Sequence, residues 1–295
     1  MEQSEDSVVA IRLKFEERLK TVYDPEELKS LFFYALEALC GMRKTDYILR
    51  QKQDLNPIEL THFEELISRL EKEEPIQYIL GITEFYGRQF DVDPNVLIPR
   101  PETEELVDWI IKDHRAHKPL RFIDIGTGSG CIPISIYCEL KDVTAYAVDV
   151  SEAALTLAKQ NADHHKCKID FILDDILHSS SDTLPKKLDF IVSNPPYVLR
   201  KEKDLMKKNV LDYEPHLSLF VTDNDPLIFY KRIAHLGTEL LNNNGTLYFE
   251  INEQYGKATI DMLSAIGYGE IRLRKDLDGK ERMLKAIWLG KKIIR

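Results

Sequence analysis

LRFIDIGTGSG, residues 120–130, is the stretch on which the fold turns. Leu120–Ile125 is a short, mostly apolar run that ends abruptly at Gly126, the pattern of a buried strand. Gly126, Gly128 and Gly130 then stand two apart. Glycines let the backbone turn tightly and approach a ligand with no Cβ in the way. The spacing is not that of a dinucleotide fingerprint, and no Gly-Lys-Ser/Thr follows to make a P-loop. A plain strand-to-helix turn would read the same way, so the neighbouring sequence has to decide. It does so by alternation. Residues 130–140 read as helix, TAYAVDV (144–150) as strand, 152–164 as helix, KIDFIL (168–173) and LDFIVS (188–193) as strands, and about 226–242 as helix. GTLYFEI (245–251) is a strand, 256–266 a helix, and two late strands lie near 271–275 and 284–289. Seven strands alternating with helices predict a mainly parallel, Rossmann-like α/β sheet covered on both faces. In such sheets ligands bind at the carboxyl ends of the strands, near the switch in strand order.

That rule directs attention to four loops. The first is Gly126-Thr127-Gly128-Ser129-Gly130. The second holds Asp149, an acid ending the second strand, placed to accept hydrogen bonds from ribose hydroxyls; Ser151-Glu152 follow, so a helix cap is the competing reading. In the third, Asp174-Asp175-Ile176, a carboxylate can accept from an exocyclic amine while Ile176 offers an apolar face, and either acid could face the ligand. The fourth, Asn194-Pro195-Pro196-Tyr197, is the most informative. Two prolines fix two φ angles and remove two donors, which leaves rigid carbonyl acceptors. Asn194 adds an acceptor and two donors, and Tyr197 a flat face. Together they make a stiff pocket suited to a planar group bearing an NH2.

Upstream, the first 75 residues read as helices. Val8, Ile11, Phe15, Leu19 and Val22 recur at helical spacing, Asp24-Pro25-Glu26-Glu27 and Asn56-Pro57-Ile58-Glu59 are start signals, and Gly41 is a stop. Aromatics around Gly87 predict a hairpin within residues 83–98. The expected division is a helical domain over 1–80, a hairpin linker over 81–99 and an α/β domain over 100–295. With 40 Lys+Arg against 50 Asp+Glu the chain is a poor general binder of nucleic-acid phosphate or anionic membrane. Residues 1–75 hold much of that excess, 17 acids against 11 bases. The cluster Arg200, Lys201, Lys203, Lys207 and Lys208 is interrupted by Glu202 and Asp204 and reads as a solvated helix face. No apolar run is long enough to span a bilayer, and the polar, acidic MEQSEDS start is not a signal peptide. Cys40, Cys131, Cys138 and Cys167 form no CxxC pair and read as reduced, buried thiols of a cytoplasmic protein. His164, His165 and Cys167 make no convincing metal set, so no metal is expected.

The four loops together resemble those of a class I S-adenosylmethionine (SAM) dependent methyltransferase, and Asn194–Tyr197 is similar to the loop of enzymes that methylate planar nitrogens. Residues 74–107, EPIQYILGITEFYGRQFDVDPNVLIPRPETEELV, resemble the signature of the PrmC/HemK family of release factor N5-glutamine methyltransferases. DIGTGSGCI, AVDVS, IVSNPPYV, Tyr213-Glu214-Pro215 and GTLYFEI extend the likeness over most of the chain. It departs at Ile176, aliphatic where some relatives place an aromatic, and after Pro215, where FVTDNDPL replaces a glycine-rich turn. The resemblance implies that Gly126–Gly130 wrap the methionine part of SAM, that Asp149 holds the ribose and that Asp175-Ile176 border the adenine. It implies that Asn194, Pro195, Pro196 and Tyr197 bind a substrate glutamine amide, and that Pro101, Glu102 and Thr103 lie against the cofactor pocket. The implied products are a methylated class I peptide chain release factor and S-adenosyl-L-homocysteine. Two alternatives stand beside it: an adenine-N6 methyltransferase of DNA or RNA, which would need a basic groove, and a SAM-binding module without catalysis.

Overall fold

The computed structural model describes residues 4–116 and 119–290. Two compact units account for them: residues up to Ile82 together with Lys207–Tyr213, and Thr83–Met206 together with Glu214 onwards.

The smaller unit is helical. Its helices α1 (Val8–Leu19), α2 (Pro25–Cys40), α3 (Lys44–Arg50), α4 (Pro57–Leu70) and the short α5 (Ile76–Leu80) follow the apolar stripes of the sequence. Asp24 caps α2 by accepting from the backbone N–H of Glu26 and Glu27, and Gly41 closes it at φ 61°. Asn56 and Glu59 form a reciprocal capping box on α4. Phe15, Phe32 and Phe63 are fully buried at the centre.

The larger unit opens with a hairpin, β1 (Ile82–Phe85) and β2 (Arg88–Asp91), turning through Tyr86 and Gly87, both at positive φ. Its Phe85 and Phe90 are buried in this unit's core. Then follow α6 (Pro101–His114), β3 (Leu120–Ile125), α7 (Cys131–Glu139), β4 (Val143–Asp149), α8 (Glu152–His164), β5 (Ile169–Leu173) and β6 (Leu188–Ser193). After the short β7 (Val198–Leu199) a 3-10 turn carries Arg200, Lys201 and Lys203 exposed. The short helix α9 (Lys208–Tyr213) belongs to the smaller unit; α10 (His216–Leu219) then precedes β8 (Phe220–Val221), which pairs with β7. The unit ends with α11 (Ile228–Leu240), β9 (Leu241–Glu250), α12 (Gly256–Ile266), β10 (Tyr268–Lys275) and β11 (Glu281–Trp288).

Seven strands form one sheet in the order β10-β11-β9-β6-β3-β4-β5. β9, β6, β3, β4 and β5 run parallel, and β11 and β10 add antiparallel at one edge. The chain winds outward from β3 to β5, then returns to place β6 on the other flank of β3. The switch in strand order therefore falls between β3 and β6. Register makes this a working edge: Ile125 pairs with Val148 and Ser193, and Ser193 with Phe249. Gly126, Asp149, Asn194 and Glu250 are thus each one residue further along, on one rim of the sheet.

The helix α6 is not among the elements read from the sequence; Pro101 takes its first helical position, and Leu106, Val107, Ile110 and Ile111 are buried along one side. The cysteines are not all buried: Cys138 is exposed, Cys40 half-buried, and the Cys138 and Cys167 sulfurs lie 3.5 Å apart. Cys138 sits in the last turn of α7, a helix whose buried residues all lie in its first two turns.

Candidate active site

A cavity of about 350 Å3 opens on that rim, within the range of small-molecule sites. Its apolar wall includes Ile125, Ile132, Val148, Ile176, Leu177, Phe229 and Ile233. Of the residues singled out in sequence, Thr103, Gly126, Thr127, Gly128, Ser129, Asp149, Asp174, Asp175, Ile176, Asn194, Pro195 and Pro196 line it, joined by Arg100; Pro101, Glu102, Gly130 and Tyr197 do not.

The glycine loop is anchored from three sides. Gly126 and Thr127 donate their N–H groups to the Val148 carbonyl at 2.8 and 3.0 Å. Gly128 donates to Asp149 Oδ2 at 2.9 Å, and Asn161 Nδ2, from α8, donates to the Ser129 carbonyl at 2.9 Å. The three glycines do different work. Gly126 and Gly128 sit at φ +77° and +53°, and a Cβ on either would meet no protein atom within 4 Å. A Cβ on Gly130 would approach Ile134 Cδ1 at 3.1 Å and Ala158 Cβ at 3.2 Å. The first two leave room on the cavity side, and the third lets α7 and α8 pack closely.

Asp149 is not the cap of α8, a place taken by Ser151, whose hydroxyl accepts the Ala154 N–H. Besides Gly128, Asp149 accepts the Ser151 N–H at Oδ1, 3.0 Å, and each oxygen keeps a lone pair for a further donor. Asp174 is engaged by the Ser179 hydroxyl at 2.5 Å. Asp175 accepts from Leu177 N–H and pairs with His178 at 2.7 Å, and that His178 bond holds its carboxyl below the usual range. Beneath the loop, Asp124 is wholly buried, and neither of its oxygens nor the Thr127 hydroxyl has a hydrogen bond of full geometry. Burial, helped by the Asp149 charge and opposed by the nearby Thr127 hydroxyl, pushes the Asp124 carboxyl up to about 7. The unused polar groups at Thr127, the free space at Gly126 and Gly128, and the acids on the far wall suit a ligand with both a polar chain and a nucleoside.

The opposite wall is the proline turn. Ser193 Oγ donates to the Ile125 carbonyl at 2.6 Å, tying the end of β6 to the end of β3. Asn194 Nδ2 donates to Thr103 Oγ1 at 3.3 Å, and Thr103 Oγ1 donates to Glu250 Oε2 at 2.6 Å. Tyr197 donates its hydroxyl to Glu250 Oε1 at 3.0 Å, and its carbonyl accepts from Asn252 Nδ2 at 3.2 Å. Glu250 is fully buried; desolvation raises its pKa, while the Thr103 and Tyr197 hydroxyls and the Arg282 charge work the other way. Glu250 accepts two hydroxyl hydrogen bonds, so Thr103 donates to it and accepts the Asn194 amide N–H on its own lone pair, which leaves Asn194 Oδ1 as an acceptor. At the rim, Arg100 Nη2 bonds the buried Glu214 carboxylate at 2.6 Å.

Glu250 and Asn161 were not singled out in the sequence. The signal for Glu250 was present: an acid ending an apolar strand, the pattern that made Asp149 legible. Asn161 gave none, since a polar residue within an amphipathic helix ordinarily faces water.

The chain matches the family model of the PrmC N-terminal domain over residues 11–81 and that of the methyltransferase small domain over residues 104–216. A release factor glutamine methyltransferase from Flavobacterium psychrophilum is 46% identical, over 93% of this chain and 97% of that one. One from Bacteroides thetaiotaomicron is also 46% identical, over 91% and 95%. A crystal structure of a methyltransferase from Pyrococcus furiosus superposes with a TM-score of 0.51 at 16% identity, over 70% of this chain and 90% of that one, and so shares the fold.

Proposed function

Because the chain belongs to the release factor glutamine methyltransferase family, the PrmC/HemK family, we propose that it transfers a methyl group from S-adenosyl-L-methionine to a glutamine side chain. The acceptor is the N5 nitrogen of the glutamine in the Gly-Gly-Gln motif of class I peptide chain release factors, and S-adenosyl-L-homocysteine is the other product. Its place of work is the cytoplasm, where translation terminates. Among the described residues no helix is long and apolar enough to cross a membrane.

The observation that carries this reading is the oriented Asn194 amide in the cavity lining, held by Thr103 and, through it, Glu250. When bound, SAM supplies an activated methyl, so the protein has only to hold and aim the acceptor. An amide nitrogen is a poor nucleophile because its lone pair is delocalised into the carbonyl. Asn194 Oδ1 and the Pro195 carbonyl accept the two N–H bonds of the substrate amide, turn its nitrogen toward the cofactor side of the cavity and favour positive charge as it develops. Positioning of this kind can contribute about 7–11 kcal/mol when near-ideal. Tyr197, held at its hydroxyl by Glu250 and at its carbonyl by Asn252, braces the turn. Gly126–Ser129 receive the methionine part, Asp149 the ribose hydroxyls, and Asp174, Asp175 and Ile176 the adenine. We assign recognition of the release factor to the helical residues 1–80, which overlap the family's N-terminal domain.

The test is incubation with SAM and a recombinant release factor, followed by mass mapping. A gain of one methyl on the Gly-Gly-Gln glutamine is expected. Methylation of an adenine oligonucleotide with none on the release factor would replace this reading by the nucleic-acid alternative.

A further inference from the structure

Away from the cavity, the end of α7 carries an arrangement that methyl transfer does not use. Cys138 is exposed in the last turn of α7, and Cys167 is buried just beyond the end of α8, 29 positions later. Their sulfurs are 3.5 Å apart, and neither residue lines the cavity. Closing to a disulfide requires an S–S distance of about 2.05 Å, so the two sulfurs need approach by only about 1.5 Å.

The charged groups around the pair are Arg88 of β2, Glu139 and His165. Arg88 Nη2 pairs with Glu139 at 2.6 Å, and His165 Nε2 lies 2.7 Å from the Gln89 carbonyl. Either sulfur can donate in the Cys138–Cys167 contact, and Cys167 Sγ also donates toward the His165 carbonyl at 3.6 Å; the contact with Cys167 first, then the Arg88 charge, brings the Cys138 thiol down to about 6 against the cost of burial. Cys167 moves in the opposite direction, through the same contact with Cys138 and through burial. The other two thiols are held as inert acids: burial pushes Cys40 and Cys131 each up to about 12. Thiolate, not thiol, is the nucleophile, so one cysteine of four is armed and has a partner within reach.

We infer that Cys138 and Cys167 form a redox-active dithiol in which the exposed Cys138 is oxidised by a peroxide and Cys167 resolves the product to an intramolecular disulfide. The Cys138 thiolate attacks one peroxide oxygen; the O–O bond breaks, giving a sulfenic acid and hydroxide from hydrogen peroxide. The Cys167 sulfur then attacks the Cys138 sulfur; the S–O bond breaks, the thiol proton leaves with the oxygen, and water departs as the disulfide forms. The two thiols lose two electrons in all, and the peroxide gains them. The resulting ring encloses β4, with Asp149, and α8, and staples them to α7.

The experiment treats the full-length protein with stoichiometric hydrogen peroxide, alkylates remaining thiols and maps peptides without reduction. A Cys138–Cys167 cross-link, 2 Da below the dithiol and reversed by dithiothreitol, with Cys40 and Cys131 still alkylated, is the expected result. Free thiols at both positions, or cross-links only between chains, would overturn the inference. Cys167→Ala should stop at a Cys138 sulfenic acid trapped by dimedone, and Cys138→Ser should leave Cys167 unmodified. Should the Cys167 variant fail to fold, iodoacetamide kinetics on the unaltered protein decide. Cys138 is expected to react at least about tenfold faster than Cys40 at pH 7, and equal rates would sink the proposal. The oxidised form should melt about 5–10 °C higher, from the chain entropy the ring removes.

Discussion

The two walls of the cavity are built on opposite uses of the backbone. The loop after β3 is made of glycines, two of them at positive φ with open space where a side chain would be. The turn after β6 is made of prolines, which cannot rearrange and cannot donate. One wall yields volume and backbone dipoles; the other yields fixed acceptors. A site that binds one molecule and aims another needs both, and the difference says which wall should govern affinity and which should govern rate.

The sharpest way to break that division is at Asn194. On the proposed role of Asn194, Asn194→Ala removes one acceptor of the substrate amide without touching the core. Turnover is expected to fall about 100- to 1000-fold with SAM affinity near normal by calorimetry; near-normal turnover would refute the proline-wall assignment. Gly128→Ala tests the other wall. At φ +53° its Cβ adds backbone strain and enters the space left free, so the SAM dissociation constant should rise about tenfold while turnover at saturating SAM changes little. A fall in turnover with unchanged affinity would invert the comparison. Glu250→Gln asks how far the stiffness of the proline wall depends on its brace. The amide offers an N–H where Thr103 or Tyr197 brings its own proton, so one hydroxyl must turn away. A drop of about fivefold in kcat with KM for the release factor unchanged is expected, and parallel changes in both would point to general loosening instead.

Asp124 has the smallest expected effect on rate and is read from stability. The folded chain keeps its proton up to about pH 7, whereas the ordinary value is 3.8. Stability from the protonated form is therefore fully present below pH 3.8 and is lost as pH rises through that window. Asp124→Asn should flatten the decline, as followed by urea unfolding at a series of pH values. An unchanged slope would show that the charge under the glycine loop is already compensated.

Much of this is legible in the amino-acid sequence. The seven strands of the main sheet and the helices α7, α8, α11 and α12 follow from apolar runs alternating with helical stripes, because each element buries one local pattern; the short β7, α9, α10 and β8 carry no such pattern. The helix at Pro101–His114, absent from the sequence reading, also carries its signals: a proline start, two early glutamates and a four-residue apolar stripe. Strand order was out of reach, since placing β6 beside β3 is a long-range choice that no local window contains. The same limit applies to side-chain partners. Tyr197 is flat and sits in the turn, but its hydroxyl is committed to Glu250, 53 residues later. Gly130 belongs to the motif in spelling, yet it serves the contact of two helices.

The Thr103–Glu250 bond joins residues 147 positions apart. Only when the strand ending at Glu250 has docked beside β6 does Thr103 acquire the acceptor that turns its hydroxyl and, through it, the Asn194 amide. A chain still emerging from the ribosome could already hold the glycine loop, whose anchors all lie before residue 165. It would lack the oriented carboxamide until some 85 further residues had been made. Ligand capture can thus precede catalytic competence during biosynthesis, and the cofactor, by favouring the folded unit it binds, is placed to act as a folding template for the enzyme that will consume it.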